Sequence, residues 1–266
     1  EANILNYNPE IEKKTLEVLS NYSHGPLYTP PSELDEDNGH LGTLQVPGFL
    51  GGASWAGAVI NESTGDLFVS SVTAPYPNVV TDAAEGSPYK KFTALAKSAS
   101  IRHKVGDSWE RYPHPLLKPP WGRITKIDLA SGDHSWDSPL VVGRGPRDAL
   151  EAEYSEGLPK GDLGWNRRTH LLATPTLLFA TQEAGRRPTG TTGFTALYSL
   201  VEEHESRRTL DVYNQENKKL ICKIEIPAHP QGALMSFSYS NKQYLAIPVG
   251  GFDKAAQVLI YKLNVD

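Results

Sequence analysis

From residue 28 onward the apolar positions come in short runs, and the residues between them are mostly Pro, Gly, Asn and Asp. Leu67-Phe68-Val69, Leu177-Leu178-Phe179-Ala180, Tyr244-Leu245-Ala246-Ile247 and Val258-Leu259-Ile260-Tyr261 are too short for helices and rich in β-branched and aromatic residues. Runs of this kind, bounded by turn residues, predict β-strands. A different pattern occurs near the start, where Ile11, Leu16 and Leu19 recur among Glu and Lys between Asn8 and Asn21. That spacing predicts one short helix and no other.

One turn device occurs three times. An apolar strand ends in Asn or Asp, turns, and a second strand follows, in Val59-Ile60-Asn61-Glu62-Ser63-Thr64-Gly65-Asp66-Leu67-Phe68 and in Lys126-Ile127-Asp128-Leu129-Ala130-Ser131-Gly132-Asp133-His134-Ser135-Trp136. In Val212-Tyr213-Asn214-Gln215-Glu216-Asn217-Lys218-Lys219-Leu220-Ile221-Cys222 the frame persists, with Lys in place of Gly and Cys in place of Trp. The Asx side chain accepts turn amides and Gly takes positive φ, which makes each copy a hairpin. A single copy is an ordinary turn. Three copies flanked by strand-like runs predict four-stranded blades stacked side by side, an all-β partial β-propeller.

The expected blades follow from the spacing. Residues 1–47 finish a preceding blade, with Gly42–Pro47 as its outer strand. Residues 53–142 form the next, from Trp55–Ile60, Asp66–Ser71, Arg123–Asp128 and Asp133–Trp136, with 72–121 as a long insertion. Residues 168–226 supply strands near Leu171–Thr174, Leu177–Thr181, Leu210–Tyr213 and Lys219–Ile224, around a polar loop from Gln182 to Thr209. Residues 232–264 form a last, incomplete blade from Met235–Tyr239, Gln243–Val249 and Gln257–Leu263. About three blades do not close a ring, which needs at least about four, so the closing N-terminal half is expected to be a missing partner.

Composition narrows the function classes. The 266 residues carry 26 Lys and Arg against 31 Asp and Glu, a net charge of −5, without the basic stripe that tracks phosphates; nucleic acid is not an expected partner. Cys222 is the single cysteine, so no intrachain disulfide framework exists. No apolar run has the length of a membrane span, and Glu1-Ala2-Asn3-Ile4 is neither an initiator nor a signal peptide, which is the expectation for a processed chain or a piece of a longer one.

Several phrases carry a resemblance more specific than the fold. Gly25-Pro26-Leu27-Tyr28-Thr29-Pro30-Pro31, Gly42-Thr43-Leu44-Gln45-Val46-Pro47-Gly48, Lys118-Pro119-Pro120-Trp121-Gly122-Arg123-Ile124, Gly145-Pro146-Arg147-Asp148, Leu163-Gly164-Trp165, Met235-Ser236-Phe237-Ser238 and Lys242-Gln243-Tyr244 occur in order. Together they resemble the C-terminal part of the PQQ-dependent quinoprotein dehydrogenases, in the branch of the membrane-bound quinoprotein glucose and quinate dehydrogenases, from Gly25 to Leu263. The resemblance implies an eight-bladed propeller with PQQ and a calcium or magnesium ion in its central funnel. It further implies oxidation of an alcohol, sugar or polyol, electron transfer to a quinone or cytochrome, and a periplasmic location. It places the catalytic aspartate, the cofactor-binding lysine and the metal ligands upstream of this chain.

The resemblance implies that the cofactor-facing positions that remain are Trp55, Gly57, Ser70, Ser71, Thr169 and His170. Each departs from the family pattern or stands beside a departure. Ser70 or Ser71 stands where relatives carry a cofactor-contacting Asn, and a hydroxyl has one donor and a shorter reach. Thr169-His170 replaces a Gly-Gly pair, and Ala56 interrupts the Trp-Gly-Gly entry of which Trp55 and Gly57 remain. These departures motivate an alternative, a degenerate, non-catalytic propeller that acts as a binding or scaffold module.

Other motifs favour structural readings. Trp136, placed by the turn repeat, is expected to lock neighbouring blades through packing and an indole hydrogen bond. Glu202-Glu203-His204-Glu205 sits beside Arg207 and Arg208 in a charged loop, and His103, His114, His134 and His229 lack metal-ligand spacing. The run from Gly48 to Ser54 lacks the Gly-Lys-Ser/Thr ending of a phosphate loop. Asn21 and Asn61 begin glycosylation triplets, but Asn61 already has a turn to make.

Overall fold

The computed structural model describes residues 3–48, 51–53, 56–93, 101–112, 114–143, 147–154, 156–165, 167–182, 208–251 and 254–262. Helix α1 (Pro9–Leu19) starts where Asn8 Oδ1 accepts the amide of Ile11 at 2.8 Å. Proline follows at the first helical position, where no backbone donor is needed. Strands β1 (Ser32–Glu33), β2 (Thr43–Gln45), β3 (Ala58–Asn61), β4 (Asp66–Val72), β5 (Tyr76–Asp82) and β6 (Lys91–Thr93) come next. The hairpin β7 (Arg102–Val105) and β8 (Ser108–Arg111) precedes β9 (Gly122–Asp128), β10 (Leu140–Val141) and a second helix, α2 (Arg147–Glu153). The chain continues through β11 (Thr169–Ala173), β12 (Leu177–Gln182), β13 (Thr209–Asn214) and β14 (Leu220–Glu225). It ends the described part with β15 (His229–Pro230), β16 (Met235–Tyr239), β17 (Lys242–Gly250) and β18 (Gln257–Lys262).

These strands form four main sheets. The first gathers β1, β2 and β6 around β5; the second runs β3-β4-β9-β10 and the third β11-β12-β13-β14. The fourth has three strand positions, because β15 and β16 both pair with the same side of β17 while β18 takes the other. The chain is thus all-β, a partial β-propeller.

The pleat decides which residues meet between sheets, since alternate side chains of a strand point to opposite faces. Phe68 and Ile124 of the second sheet pack on Leu171, Leu178, Ala180 and Tyr213 of the third. The opposite face of the third sheet, with Phe179, Leu210 and Val212, packs on Leu245, Ile247 and Val249 of the fourth. Away from this stack, Leu5, Ile11, Trp121, Leu150, Tyr154 and Leu163 join the two helices to the start of β9.

The three turn copies share one backbone geometry. In each, the Asx oxygen accepts the amide two residues on: Ser63 at 3.1 Å, Ala130 at 2.7 Å and Glu216 at 2.9 Å. The residue four positions on has positive φ: Gly65 at 75°, Gly132 at 80° and Lys218 at 62°. Lys218 therefore holds a conformation that favours glycine. Its ammonium bonds Asp137 at 2.7 Å in the loop that follows Trp136. The copies are not equivalent within their sheets: the first joins β3 to β4, whereas the second follows β9 and the third joins β13 to β14.

Several expectations are corrected. α2 was not anticipated, because Leu150 is the one aliphatic residue larger than alanine in Arg147–Glu153 and gives no periodicity. Asp133–Trp136 does not form the fourth strand of its blade: His134 makes an isolated bridge to Ile127, and the paired residues are Leu140 and Val141 against Ile124 and Arg123. The stretch between β4 and β9, expected as an insertion, carries a strand of the first sheet: Tyr76–Asn78 pairs with Thr43–Gln45, and Val79 and Val80 pair with Ser32 and Glu33. Asn61 is buried, with Nδ2 donating to Pro175 O at 3.0 Å and Gln215 Oε1 at 2.7 Å, so it presents no free amide to a glycan. No helix among the described residues is long and apolar enough to cross a membrane.

Candidate functional site

The hairpin turns collect at one end of the second and third sheets; the candidate residues lie at the other. β4 ends there at Ser70, Ser71 and Val72, β9 begins there at Gly122 and Arg123, β11 at Thr169 and His170, and β12 ends at Gln182. Gly57, just before β3, is at the same end with φ of 74°, and open space surrounds the place a side chain would take. Trp55 lies outside the described residues, as does Glu202-Glu203-His204-Glu205.

The structure joins two of the candidates directly. Ser70 Oγ donates to Thr169 O at 2.8 Å, across the seam between the second and third sheets. Gln182, which the sequence did not single out, donates from Nε2 to Thr169 Oγ1 and to Val142 O, each at 3.3 Å. Its only sequence signal is a polar residue ending the apolar run Leu177–Thr181. His170 is buried beside Thr169. Ser71 is half-buried and lies opposite Arg123 in the β4–β9 ladder. Arg123 Nη1 donates to Thr73 Oγ1 at 2.6 Å and to Pro120 O at 3.1 Å.

Two of the family-like phrases interlock at this end. Trp121 N donates to Leu163 O at 3.0 Å, and Trp165 N to Val142 O at 2.8 Å. A Cβ on Gly122 would sit 2.0 Å from Trp165 O, and one on Gly164 would sit 2.4 Å from Gly122 O. The two backbones cross where no side chain fits, so these glycines serve packing. The Arg167 guanidinium lies 5.9 Å from the Trp165 ring centre, a cation–π distance.

A second polar cluster lies between the helices. Glu153 of α2 accepts from Lys14 of α1 and contacts His114 Nε2, whose side chain is almost wholly buried. Burial pushes the Glu153 carboxyl up, but bonds from Lys14 and His114 outweigh it and hold the group at about 2. Burial and the neighbouring Glu153 push the Tyr154 hydroxyl well above the usual phenol range.

The quinone cofactor that the resemblance implies needs hydrogen-bond donors at its oxygens and hard oxygen ligands around its ion. Among the described residues no group of three or more His, Cys, Asp or Glu is placed to hold a metal. The Ser70 hydroxyl and the Gln182 amide are already bonded within the seam. Ser70 and Gln182 therefore present no free donor to that cofactor.

Comparisons with known proteins bear on the same region. The family model for the PQQ glucose/ethanol/alcohol dehydrogenase β-propeller domain matches residues 1–245. Among curated relatives, a quinoprotein glucose dehydrogenase of Gluconobacter oxydans is 22% identical over 85% of this chain and 26% of its own length. The quinate/shikimate dehydrogenase (quinone) of Acinetobacter baylyi is 23% identical over 90% of this chain and 28% of its own. The chain therefore spans about a quarter of the relatives it matches. A solved quinohemoprotein alcohol dehydrogenase from Pseudomonas putida HK5 aligns with a TM-score of 0.47 and 14% identity, over 89% of this chain and 32% of that one.

Proposed function

Because this chain belongs to the PQQ glucose/ethanol/alcohol dehydrogenase β-propeller family, we propose that it is the C-terminal part of a dehydrogenase that oxidises an alcohol, sugar or polyol. In this reading the missing N-terminal blades supply the general base and the metal ligands, and the completed ring holds PQQ with calcium or magnesium. Electrons pass from it to a quinone or cytochrome, in the periplasm.

The observation that carries the reading is the family match over residues 1–245, in a chain whose described sheets leave an exposed apolar face at each end of the stack. On the outer face of the second sheet Ile60, Leu67 and Ile127 form one cross-strand row, and Ile60 is half exposed. On the outer face of the fourth, Met235, Ala246 and Ile260 form another, with Met235, Val258 and Ile260 each more than half exposed. Apolar sheet faces of this kind are normally covered, and further blades at both ends would cover them.

The test is a hybrid in which this chain replaces the stretch of the Gluconobacter oxydans enzyme that it matches. With PQQ and calcium added, dye reduction with glucose, quinate or a simple alcohol is expected. A folded hybrid that turns over none of them contradicts the proposal. The bonds already made by Ser70 and Gln182 favour a second reading, a non-catalytic scaffold module; that reading predicts no PQQ binding by the folded hybrid.

A further inference from the structure

Three of the residues that the resemblance assigns to the cofactor are buried within this chain. Ser70 is 7% exposed, Thr169 3% and His170 6%. A side chain lining the axis of a ring stays open to solvent when only part of the ring is present, because the opposite wall belongs to other blades. Ser70 and Thr169, on the facing sides of the second and third sheets, face a seam instead.

The pleat gives the same answer. Ser70 lies two residues from Phe68, on the β4 face that packs against the third sheet. Its hydroxyl has one proton, and that proton is used on Thr169 O. Gln182 closes the same place from β12 by bonding Thr169 Oγ1 and Val142 O. A side chain on Gly143 would come within 2.6 Å of Gln182 Oε1, so the loop after β10 is pressed against the amide as well.

We infer that Ser70, Thr169 and Gln182 form a clasp that locks the second sheet to the third, and that this seam takes no quinone cofactor. The negative half rests on the dehydrogenase reading; the clasp itself does not. Of the described candidates, Gly57 and Ser71 remain open enough to face a ligand.

The test compares Ser70→Ala and Ser70→Thr. In the chain itself, Ser70→Ala is expected to lower Tm by about 2–6 °C and to speed amide exchange in β4 and β11 by about tenfold. Ser70→Thr, which keeps the hydroxyl, is expected to restore at least part of both. Unchanged Tm and exchange in Ser70→Ala would overturn the clasp. In the hybrid, PQQ titrated with calcium and followed by tryptophan fluorescence is expected to bind Ser70→Ala as it binds the parent, within about twofold. A loss of tenfold or more in PQQ affinity, with exchange unaltered, would overturn the inference. A hybrid that binds no PQQ at all would sink the dehydrogenase reading, while Tm and exchange would still decide the clasp.

Discussion

Gln215 ties the seam at the end opposite the clasp. Its amide donates to Thr174 O and Leu177 O, each at 2.7 Å, its Oε1 accepts from Asn61 at 2.7 Å, and its backbone oxygen accepts the Trp136 indole at 3.0 Å. Gln215→Ala would remove those partners from two half-buried carbonyls and from the buried Asn61 amide. We expect a loss of about 2–3 kcal/mol, seen in thermal melts as a Tm lower by about 5–10 °C; a shift under a degree would contradict the assignment. Asn61 and Trp136 were legible as a turn residue and a blade lock. Gln215 was not, because its partners lie far away in sequence and its own segment reads as an ordinary polar turn. The candidate site shows the same limit: the family resemblance pointed to Ser70 and Thr169, but only the pleat puts both on the facing sides of two sheets.

Among the elements, α1 was readable from Ile11, Leu16 and Leu19, although Leu16 is exposed and Val18 is buried in its place, whereas α2 was not, since its place depends largely on partners outside itself. Glu153 is the clearest of these, bonded to Lys14 and His114. Its folded-state value of about 2 lies below the ordinary 4.5. The stability it contributes is therefore present above about pH 4.5 and is lost as the pH falls towards 2. Glu153→Gln should flatten the dependence of Tm on pH across that window relative to the parent chain. An equal slope in both proteins would count against this account. The strands of the third sheet were predicted within a residue or two because each is a compact apolar run. The fourth strand of the second sheet was misplaced because Asp133–Trp136 carries the turn repeat, while the paired residues are only Leu140 and Val141.

At the scale of the molecule, the stacking of sheets followed from repeated turns and short strands, which are local signals. The pairing of β5 with β1 and β2 was hidden, because nothing local marks strands that meet across so long a separation. Both ends of the stack present apolar faces, and the dehydrogenase reading requires a blade on each. The most direct measurement is a crystal structure of the hybrid with the Gluconobacter oxydans enzyme. The second, third and fourth sheets are expected as successive blades of a closed ring, with Ile60 on one outer face and Met235 and Ile260 on the other all covered. A closed ring that leaves either face in solvent, or that excludes these sheets, would contradict this expectation.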